Sequence, residues 1–236
     1  MGFTIKQPPL NIGSDISLRS FETIEDEIKN YPKFYNFSKD EREVIKRLIH
    51  TTACFDEVLE NIFFTKDAIS HTKELLTNRA KIIVDTNMIK SGISEFYTKK
   101  YQNEVICYIN EDFIYKRAEE NATTRSYAAV EYAVEKFQDE KLVIACGNAP
   151  TFIYAAINSI IKYNISVKNI SLLLFPVGFV NVKESKEYGE EFLKYFKGEG
   201  VVMRGRFGSS TMVVATLHAV YKLIKDYDGT QKYNGK

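Results

Sequence analysis

Five short apolar segments that alternate with helical segments constrain the fold of this chain more than any other feature. The apolar segments are residues 82–84, 105–109, 142–146, 170–175 and 201–203. The helical segments cover residues 87–100, 124–138, 150–163, 183–197 and 210–225. Strands that are apolar on both faces and are separated by helices form parallel sheets covered on both sides. The pattern therefore predicts an α/β fold of three layers, with a doubly wound, mostly parallel, five-stranded sheet.

The first 80 residues lack this alternation and are predicted to be an N-terminal helical segment. Ser38 and Glu41 form a capping-box pattern before an apolar helix face. That face consists of Val44, Ile45, Leu48, Thr52, Phe55, Leu59 and Ile62. We expect a single domain over residues 1–236, in which residues 1–80 are helical, residues 81–225 form the parallel α/β part and residues 226–236 form a polar tail.

Composition excludes several classes of protein. The 32 Lys and Arg residues balance 31 Asp and Glu residues, so no overall field favours nucleic acid or an anionic membrane as a partner. Cys54, Cys107 and Cys146 are too far apart to indicate a zinc site or a disulfide framework. Without a signal-peptide pattern or a long apolar run, we expect a cytoplasmic protein with no bound metal.

Polar loops follow the predicted strands. They are Asp85-Thr86-Asn87, Gly147-Asn148-Ala149-Pro150-Thr151, Pro176-Val177-Gly178-Phe179 and Arg204-Gly205-Arg206-Phe207-Gly208-Ser209-Ser210. In an open parallel sheet, ligands bind outside the carboxyl ends of the strands. Pro150 suits a first helical turn and leaves amides free to bind an anion. The loops therefore predict a cleft for carboxylates or phosphates, although each glycine could simply make a turn and each arginine could be solvated.

A second candidate region lies on the helix after Ser38. Arg47, His50, Thr51 and Cys54 follow one stripe at the border between its apolar and polar faces. A guanidinium, an imidazole and a hydroxyl at such a border could point together into a cleft. The imidazole could act as a general acid or base, or it could be an edge histidine hydrogen-bonded to a loop.

Six motifs occur in this order and identify a family. They are Arg19-Ser20-Phe21, Arg47-x-x-His50, Thr124-Arg125-Ser126-Tyr127-Ala128-Ala129, Gly147-Asn148-Ala149-Pro150-Thr151, Pro176-Val177-Gly178-Phe179-Val180 with Glu184-Ser185-Lys186, and Gly205-Arg206-x-Gly208-x-Ser210. Over residues 15–222 the chain resembles the precorrin-8X methylmutases, also called cobalt-precorrin-8 methylmutases, of corrin biosynthesis.

The resemblance implies an isomerase of cobalamin biosynthesis that moves a methyl group between adjacent carbons of precorrin-8X or cobalt-precorrin-8. The product is hydrogenobyrinate, or cobyrinate if cobalt is present, and no cofactor is required. In the family, the residue matching His50 is the acid or base, and the residues matching Ser20 and Arg47 contact the substrate. A homodimer with the site near the subunit interface is also implied.

This substrate carries many carboxylate arms, which arginines and backbone amides are suited to bind. We expect Arg47 and Arg125 to bind carboxylates near the reacting ring, with Ser20 and Ser126 beside them. The remaining predicted substrate contacts are Arg19, Arg206 and Ser210, with backbone amides at Asn148 and Gly208. Asp85 and Asn87 are candidates from their position alone.

Two residues depart from the family pattern. Ser209 replaces the second glycine of a Gly-Gly pair, and His218 stands where asparagine is usual; we expect His218 to face the core or a subunit contact. Two other functions remain open from the residues alone: a non-catalytic tetrapyrrole-binding protein, and a Rossmann-like phosphate- or nucleotide-binding enzyme that uses residues 205–210. Whether the natural substrate contains cobalt is also open.

Overall fold

The computed structural model describes the backbone of residues 13–224 and the side chains of residues 16–224. The predicted polar tail, residues 226–236, lies outside them. The helices within this range are α1 (Gly13–Glu27), α2 (Lys39–Thr52), α3 (Phe55–Asn61), α4 (Ala68–Thr77), α5 (Asn87–Gly92), α6 (Glu95–Tyr101), α7 (Asp112–Glu120), α8 (Arg125–Lys136), α9 (Pro150–Lys162), α10 (Val182–Phe196) and α11 (Ser210–Lys222). The strands are β1 (Ile62–Phe64), β2 (Lys81–Val84), β3 (Val105–Ile106), β4 (Leu142–Cys146), β5 (Ile170–Leu174) and β6 (Glu199–Met203).

The strands form one six-stranded sheet in the order β1-β6-β5-β4-β2-β3. All five predicted strands are present and parallel. Among these five, the second in sequence lies at one edge and the first lies beside it, so the chain direction across the sheet reverses between β2 and β4. This is the flavodoxin-like order, in which the reversal marks the usual ligand crevice.

The central strands are buried on both faces because their alternate side chains enter two separate hydrophobic clusters. On β4, Val143 and Ala145 face one cluster together with residues of α2, α4 and α11. Leu142, Ile144 and Cys146 face the other cluster together with residues of α8, α9 and α10. The three-layer α/β fold predicted from the sequence is therefore confirmed. The N-terminal helices contribute to the first of these clusters.

The sixth strand, β1, corrects the expectation that the first 80 residues are entirely helical. The helix predicted to run to Ile62 ends at Thr52, because Ala53 adopts a left-handed conformation with φ of 56° and caps α2. The chain restarts as α3, and Ile62 then pairs antiparallel with Met203 of β6. A three-residue strand is too short to show an alternating pattern, which explains why the sequence predicted five strands.

The segment between β2 and β4 also differs from the prediction. The helix expected at 87–100 is divided into α5 and α6, because Ile93 is extended. The Ser94 amide, at this break, donates to Nε2 of His218 at 3.0 Å. His218 therefore faces the α5–α6 junction, with its ring 5.5 Å from that of Tyr97. The strand expected at 105–109 contains only Val105 and Ile106, and the helix α7 was not predicted.

No helix among the described residues is long and apolar enough to cross a membrane. The same residues contain no group of three or more His, Cys, Asp and Glu side chains placed to hold a metal ion.

Candidate active site

The first group of candidate residues lies at one edge of α2. This helix begins with the predicted capping box, in which the Ser38 amide donates to the Glu41 carboxylate at 2.6 Å and the Glu41 amide donates to the Ser38 hydroxyl. Leu48 and Ile49 are buried, and α2 packs on α11. Helical periodicity then leaves Arg47 and His50 partly exposed at the border of the buried face.

A phenylalanine of α1 organises this edge. The ring of Phe21 stacks on the imidazole of His50, with centroids 4.8 Å apart and planes 2° apart. The guanidinium of Arg47 lies over the same ring, 5.1 Å from its centroid. Stacking and cation–π contacts thus hold the imidazole and the guanidinium beside one another. The sequence motif contained Phe21, but did not reveal this role.

The other candidates near this edge differ in what they can offer. The Ser20 hydroxyl donates to the Ile16 carbonyl at 2.8 Å, and Arg19 is exposed on α1. Thr51 donates its hydroxyl to the Arg47 carbonyl at 2.9 Å, so it does not point with the imidazole into a cleft. Cys54 lies outside α2, at the start of α3. The predicted four-residue stripe is therefore reduced to Arg47 and His50.

Positive charge surrounds His50. Partial burial lowers the pKa of His50, and the cations of Arg47 and Lys222 lower it further. Arg47 and Lys222 act in the same direction on His218, whose pKa is lowered to about 4, mainly by burial. In the free protein these shifts favour the uncharged form of both imidazoles. A bound carboxylate would oppose this positive field and favour protonation of His50.

The second group of candidate residues lines a crevice of about 420 Å³ at the reversal point between β2 and β4. Its lining comprises Asp85, Thr86, Asn87, Ile109, Asn110, Thr124, Arg125, Ser126 and Asn148. The crevice lies outside the carboxyl ends of the strands, as the loop pattern predicted.

Asp85 corrects one prediction about this crevice. Its buried carboxylate accepts hydrogen bonds from the amides of Gly147 at 3.0 Å, Asn148 at 2.7 Å and Ala149 at 2.8 Å. Burial raises the pKa of Asp85, and these amides oppose that rise. The backbone amide of Asn148, which was predicted to bind a substrate carboxylate, therefore already donates to Asp85. The Asp85 carboxylate lies just before the start of α9, where an external anion would otherwise bind. The exposed side chain of Asn148 still lines the crevice.

Gly208 and Ser210 pack closely against their neighbours. A Cβ atom on Gly208 would lie 2.2 Å from the Phe175 carbonyl oxygen, so only glycine fits there. The Ser210 hydroxyl is buried and lies 3.0 Å from the hydroxyl of Thr86. Ser209, the departure from the family pattern, caps α11 by accepting from the Met212 amide at 3.1 Å. These contacts bind the loop before α11 to the ends of β2 and β5.

Arg125 and Arg206 are both exposed and both lie over aromatic rings. The Arg125 guanidinium is 4.7 Å from the ring centroid of Tyr115 and donates to its hydroxyl. Arg206 is 5.3 Å from the ring centroid of Phe179, which is 82% exposed. Tyr115 was not identified from the sequence, because it lies on α7, the helix that was not predicted.

The two groups lie at opposite ends of α11. Ser210 is its first residue and hydrogen-bonds Thr86, which lines the crevice. His218 and Lys222 lie in its second half, beside Arg47 and His50. At a rise of 1.5 Å per residue, the twelve steps from Ser210 to Lys222, the first and last of the thirteen residues of α11, span about 18 Å. Neither Arg47 nor His50 is among the residues that line the crevice beside Arg125 in the same chain, whereas the sequence-based expectation placed them together.

Comparisons with known proteins identify the family. The family model of precorrin-8X methylmutase matches residues 15–223. The chain is 34% identical over 206 residues to a cobalt-precorrin-8 methylmutase of Salmonella typhimurium, covering 87% of this chain and 92% of that protein. It is 30% identical over 211 residues to a precorrin-8X methylmutase of Pseudomonas aeruginosa, covering 88% and 94%.

Solved structures agree with these sequence matches. A crystal structure of precorrin-8X methylmutase from Thermus thermophilus superimposes with a TM-score of 0.77 at 33% identity, covering 90% of this chain and 96% of that chain. A second structure, of a precorrin-8X methylmutase related protein, gives a TM-score of 0.73 at 25% identity and covers 86% and 98%. The sequence match, the relatives and the shared fold lead to one conclusion: the chain belongs to the precorrin-8X methylmutase family.

Proposed function

We propose that this methylmutase moves a methyl group between adjacent carbons of precorrin-8X or cobalt-precorrin-8, with His50 as the acid or base. The observation that carries this proposal is the stack of His50 and Arg47 on Phe21. It places a titratable group with a restricted orientation beside a permanent cation, at an edge that remains partly exposed.

The chemistry needs a proton rather than a change of oxidation state. Protonation of the conjugated ring system, or a hydrogen bond to it, stabilises the charge that develops while the methyl group migrates. The proton returns to the imidazole when the product forms, so the reaction is a net isomerisation. General acid catalysis of this kind contributes roughly 10²–10⁴-fold to the rate. The rest is assigned to holding the macrocycle in one orientation.

Substrate carboxylates also explain how His50 becomes an acid. In the free protein its pKa is lowered by burial, Arg47 and Lys222. A carboxylate arm bound by Arg47 adds a negative charge beside the imidazole and favours its protonated form. Ser20 and Arg19 lie on the neighbouring helix and are proposed to bind further arms.

The crevice at the reversal point supplies a second set of contacts. We assign substrate carboxylates to Arg125 and Ser126, and a hydrogen bond to the side chain of Asn148. All three line the crevice, and the Arg125 guanidinium is supported by Tyr115. Arg206, on the loop before α11, is assigned another arm.

We further propose a homodimer in which the crevice of one subunit faces His50 of the other. The separation of the two groups along α11 supports this arrangement, because neither group is a complete site by itself. An exposed apolar loop supports it as well: Phe179 is 82% exposed, Val180 is 76% exposed and Val177 is 46% exposed. Burial of such side chains favours association. A cytoplasmic location, which cell fractionation would test, remains part of the proposal.

Mixing two variants, each impaired in a different part of the proposed site, tests both the activity and the shared site. His50→Ala and Arg125→Ala are assayed separately and after unfolding and refolding together, by the change in absorbance of precorrin-8X and of cobalt-precorrin-8. In a two-fold dimer, a mixed dimer contains one site with both mutations and one site with neither. Statistical mixing then restores about a quarter of the wild-type activity.

The alternative outcomes are distinct. If each site lies within one chain, every site in the mixed dimer carries one mutation and activity is not restored. Failure of the wild-type protein to convert either pigment would reject the assigned reaction. Sedimentation that shows a monomer at micromolar concentration would reject the dimer.

A further inference from the structure

Lys186 is a buried basic side chain beneath a pocket that is lined mainly by charged residues. It lies on α10, is only 1% exposed and is among the largest fully buried side chains of the described residues. Transfer of an ammonium group out of water costs several kcal/mol unless hydrogen bonds replace the lost hydration. A buried lysine therefore requires acceptors close to its nitrogen.

The acceptors are two backbone carbonyls of the loop between β6 and α11. Nζ of Lys186 donates to the Gly205 carbonyl at 2.9 Å and to the Phe207 carbonyl at 2.8 Å. The Lys186 side chain of α10 thus extends beneath this loop and binds the carbonyls of two residues that are separated by one residue. Charge-assisted hydrogen bonds of this kind are about twice as strong as neutral ones.

These two bonds determine which way the loop faces. In a trans peptide unit the carbonyl and the following N–H point in opposite directions, and the described residues contain no cis peptide bond. Because the carbonyls of Gly205 and Phe207 point inward to Lys186, the amides of Arg206 and Gly208 point away from it. On the other side, Gly208 packs on the Phe175 carbonyl and leaves no room for a Cβ atom.

Arg206 lies between the two bound carbonyls. Its guanidinium rests over the ring of Phe179, and its own carbonyl accepts from the Gly178 amide at 3.4 Å. Arg206, to which a substrate carboxylate is assigned, therefore lies on a peptide segment whose carbonyls bind the ammonium group of Lys186. A substitution of Lys186 would therefore move the Arg206 guanidinium, although Lys186 itself does not contact the substrate.

We propose that Lys186 is a positioning residue of this methylmutase, which orients the 205–208 loop so that Arg206 can bind a carboxylate of the substrate. The inference rests on the proposed function, because it presumes that Arg206 contacts the substrate. Lys186 itself touches neither the substrate nor the reacting atoms.

Burial also affects the protonation of this lysine. It lowers the pKa of Lys186 to about 7, and negative charge on Cys146 would act in the opposite direction. A neutral amine still carries two N–H donors, so removal of the side chain is a sharper test than a change of pH.

A double-mutant cycle tests the proposal. Lys186→Met removes the donors but keeps most of the apolar volume, and Arg206→Ala removes the guanidinium. Lys183→Met is the matched control, because it makes the same change at an exposed position of the same helix. We expect Lys186→Met to raise KM about tenfold with kcat within about threefold of the wild type. The double variant should be no worse than Arg206→Ala by more than about twofold, because both changes remove the same contact.

Several results would overturn the proposal. An unchanged KM in Lys186→Met would do so, as would effects that multiply in the double variant, because a purely structural role acts independently of Arg206. An unchanged KM in Arg206→Ala would show that Arg206 does not contribute to substrate binding, which the proposal presumes. Failure of the wild-type protein to isomerise the pigment is a separate outcome, which would reject the assigned reaction instead.

A measurement on the unmodified protein covers the case in which Lys186→Met does not fold. With ¹⁵N-labelled lysine, the Nζ protons of Lys186 should exchange with water far more slowly than those of exposed Lys183, because the Lys186 side chain is buried and two of its protons are donated to backbone carbonyls. Exchange at the rate of an exposed lysine would overturn the proposed contact.

Discussion

The edge of α2 and the crevice beside β2 and β4 are built in different ways. At the edge, chemistry is carried by side chains: a ring, an imidazole and a guanidinium stacked between two helices. At the crevice, the floor is backbone, and three amides of the loop after β4 bind the buried Asp85 carboxylate. The edge of α2 presents its polar side chains to a ligand, whereas the polar backbone groups of the crevice floor already form hydrogen bonds within the protein.

This difference shows why the presence of a motif does not reveal the role of its residues. Asp85 occupies the position at the start of α9 where an external anion would bind. A loop that resembles an anion site in sequence is therefore complete without a ligand. Four predictions test this contrast: side chains at the edge of α2 should affect catalysis and binding, whereas Asp85 in the crevice floor should affect stability.

The largest expected effect is on turnover. His50→Ala should lower kcat by about 10²–10⁴-fold, because it removes the proposed acid or base. Product binding should stay within about tenfold of the wild type, since Arg47 and the crevice remain. Absorbance assays of conversion and product titration measure both quantities. His71→Ala is the control, because that ring bonds the Ile170 carbonyl, away from both regions. A variant that still isomerises at the wild-type rate would remove His50 from the chemistry.

The next effect is on stability. Asp85→Asn keeps the shape of the side chain but turns an NH₂ group toward backbone amides that need an acceptor. Loss of these buried hydrogen bonds should lower the free energy of unfolding by about 2–4 kcal/mol. Urea denaturation of this variant and of Asp139→Asn, an exposed control, measures the change. Equal stability of the two variants would mean that Asp85 is not a structural anion.

Binding should change by a smaller amount. Arg47→Ala removes a proposed carboxylate contact, and a charge-assisted hydrogen bond contributes about 1.5–3 kcal/mol, or roughly ten- to a hundredfold in affinity. Steady-state kinetics should show a raised KM, and thermal unfolding should change little. Arg42→Ala, on the same helix, is the control. If neither kcat nor KM changes in Arg47→Ala, the carboxylate contact is wrong.

The smallest effect is electrostatic. Lys222→Gln removes a cation that lowers the pKa of His50, so this pKa should rise, and only slightly, because water screens the charge of the exposed Lys222. If protonated His50 is the acid, kcat/KM falls as pH rises through this pKa. The descending limb of the profile should then move to higher pH. NMR titration of His50 and the pH–rate profile provide the test, with Lys162→Gln as control; a pKa that stays constant or falls would contradict it.

Most of the fold could be predicted because its signals are local. The apolar segments at 82–84, 142–146, 170–175 and 201–203 are confirmed as parallel strands, and Ser38 and Glu41 form the capping box. The family and the isomerase function inferred from the six motifs are confirmed by the comparisons. The two strands that were missed or shortened, β1 and β3, have three and two residues, too few for periodicity to show.

The candidate site was less predictable because its details depend on contacts distant in sequence. The border position of Arg47 and His50 follows from helical spacing, but their stack on Phe21 joins two helices. The carboxylate of Asp85 reaches amides more than sixty residues away, which no local pattern encodes. The roles of His50, Arg47 and Ser20 stay predictions until the variants are measured.

The antiparallel strand β1 has a consequence for how copies of this protein can meet. It lies along β6 from Ile62 to Phe64 and covers the hydrogen-bonding groups of that edge. At the opposite margin, β3 offers only two residues for pairing. Short margins of this kind discourage the strand-to-strand addition that leads to fibrils. Contacts between copies of the chain would then use helical and loop surfaces, where side-chain shape, rather than generic backbone pairing, selects the partner.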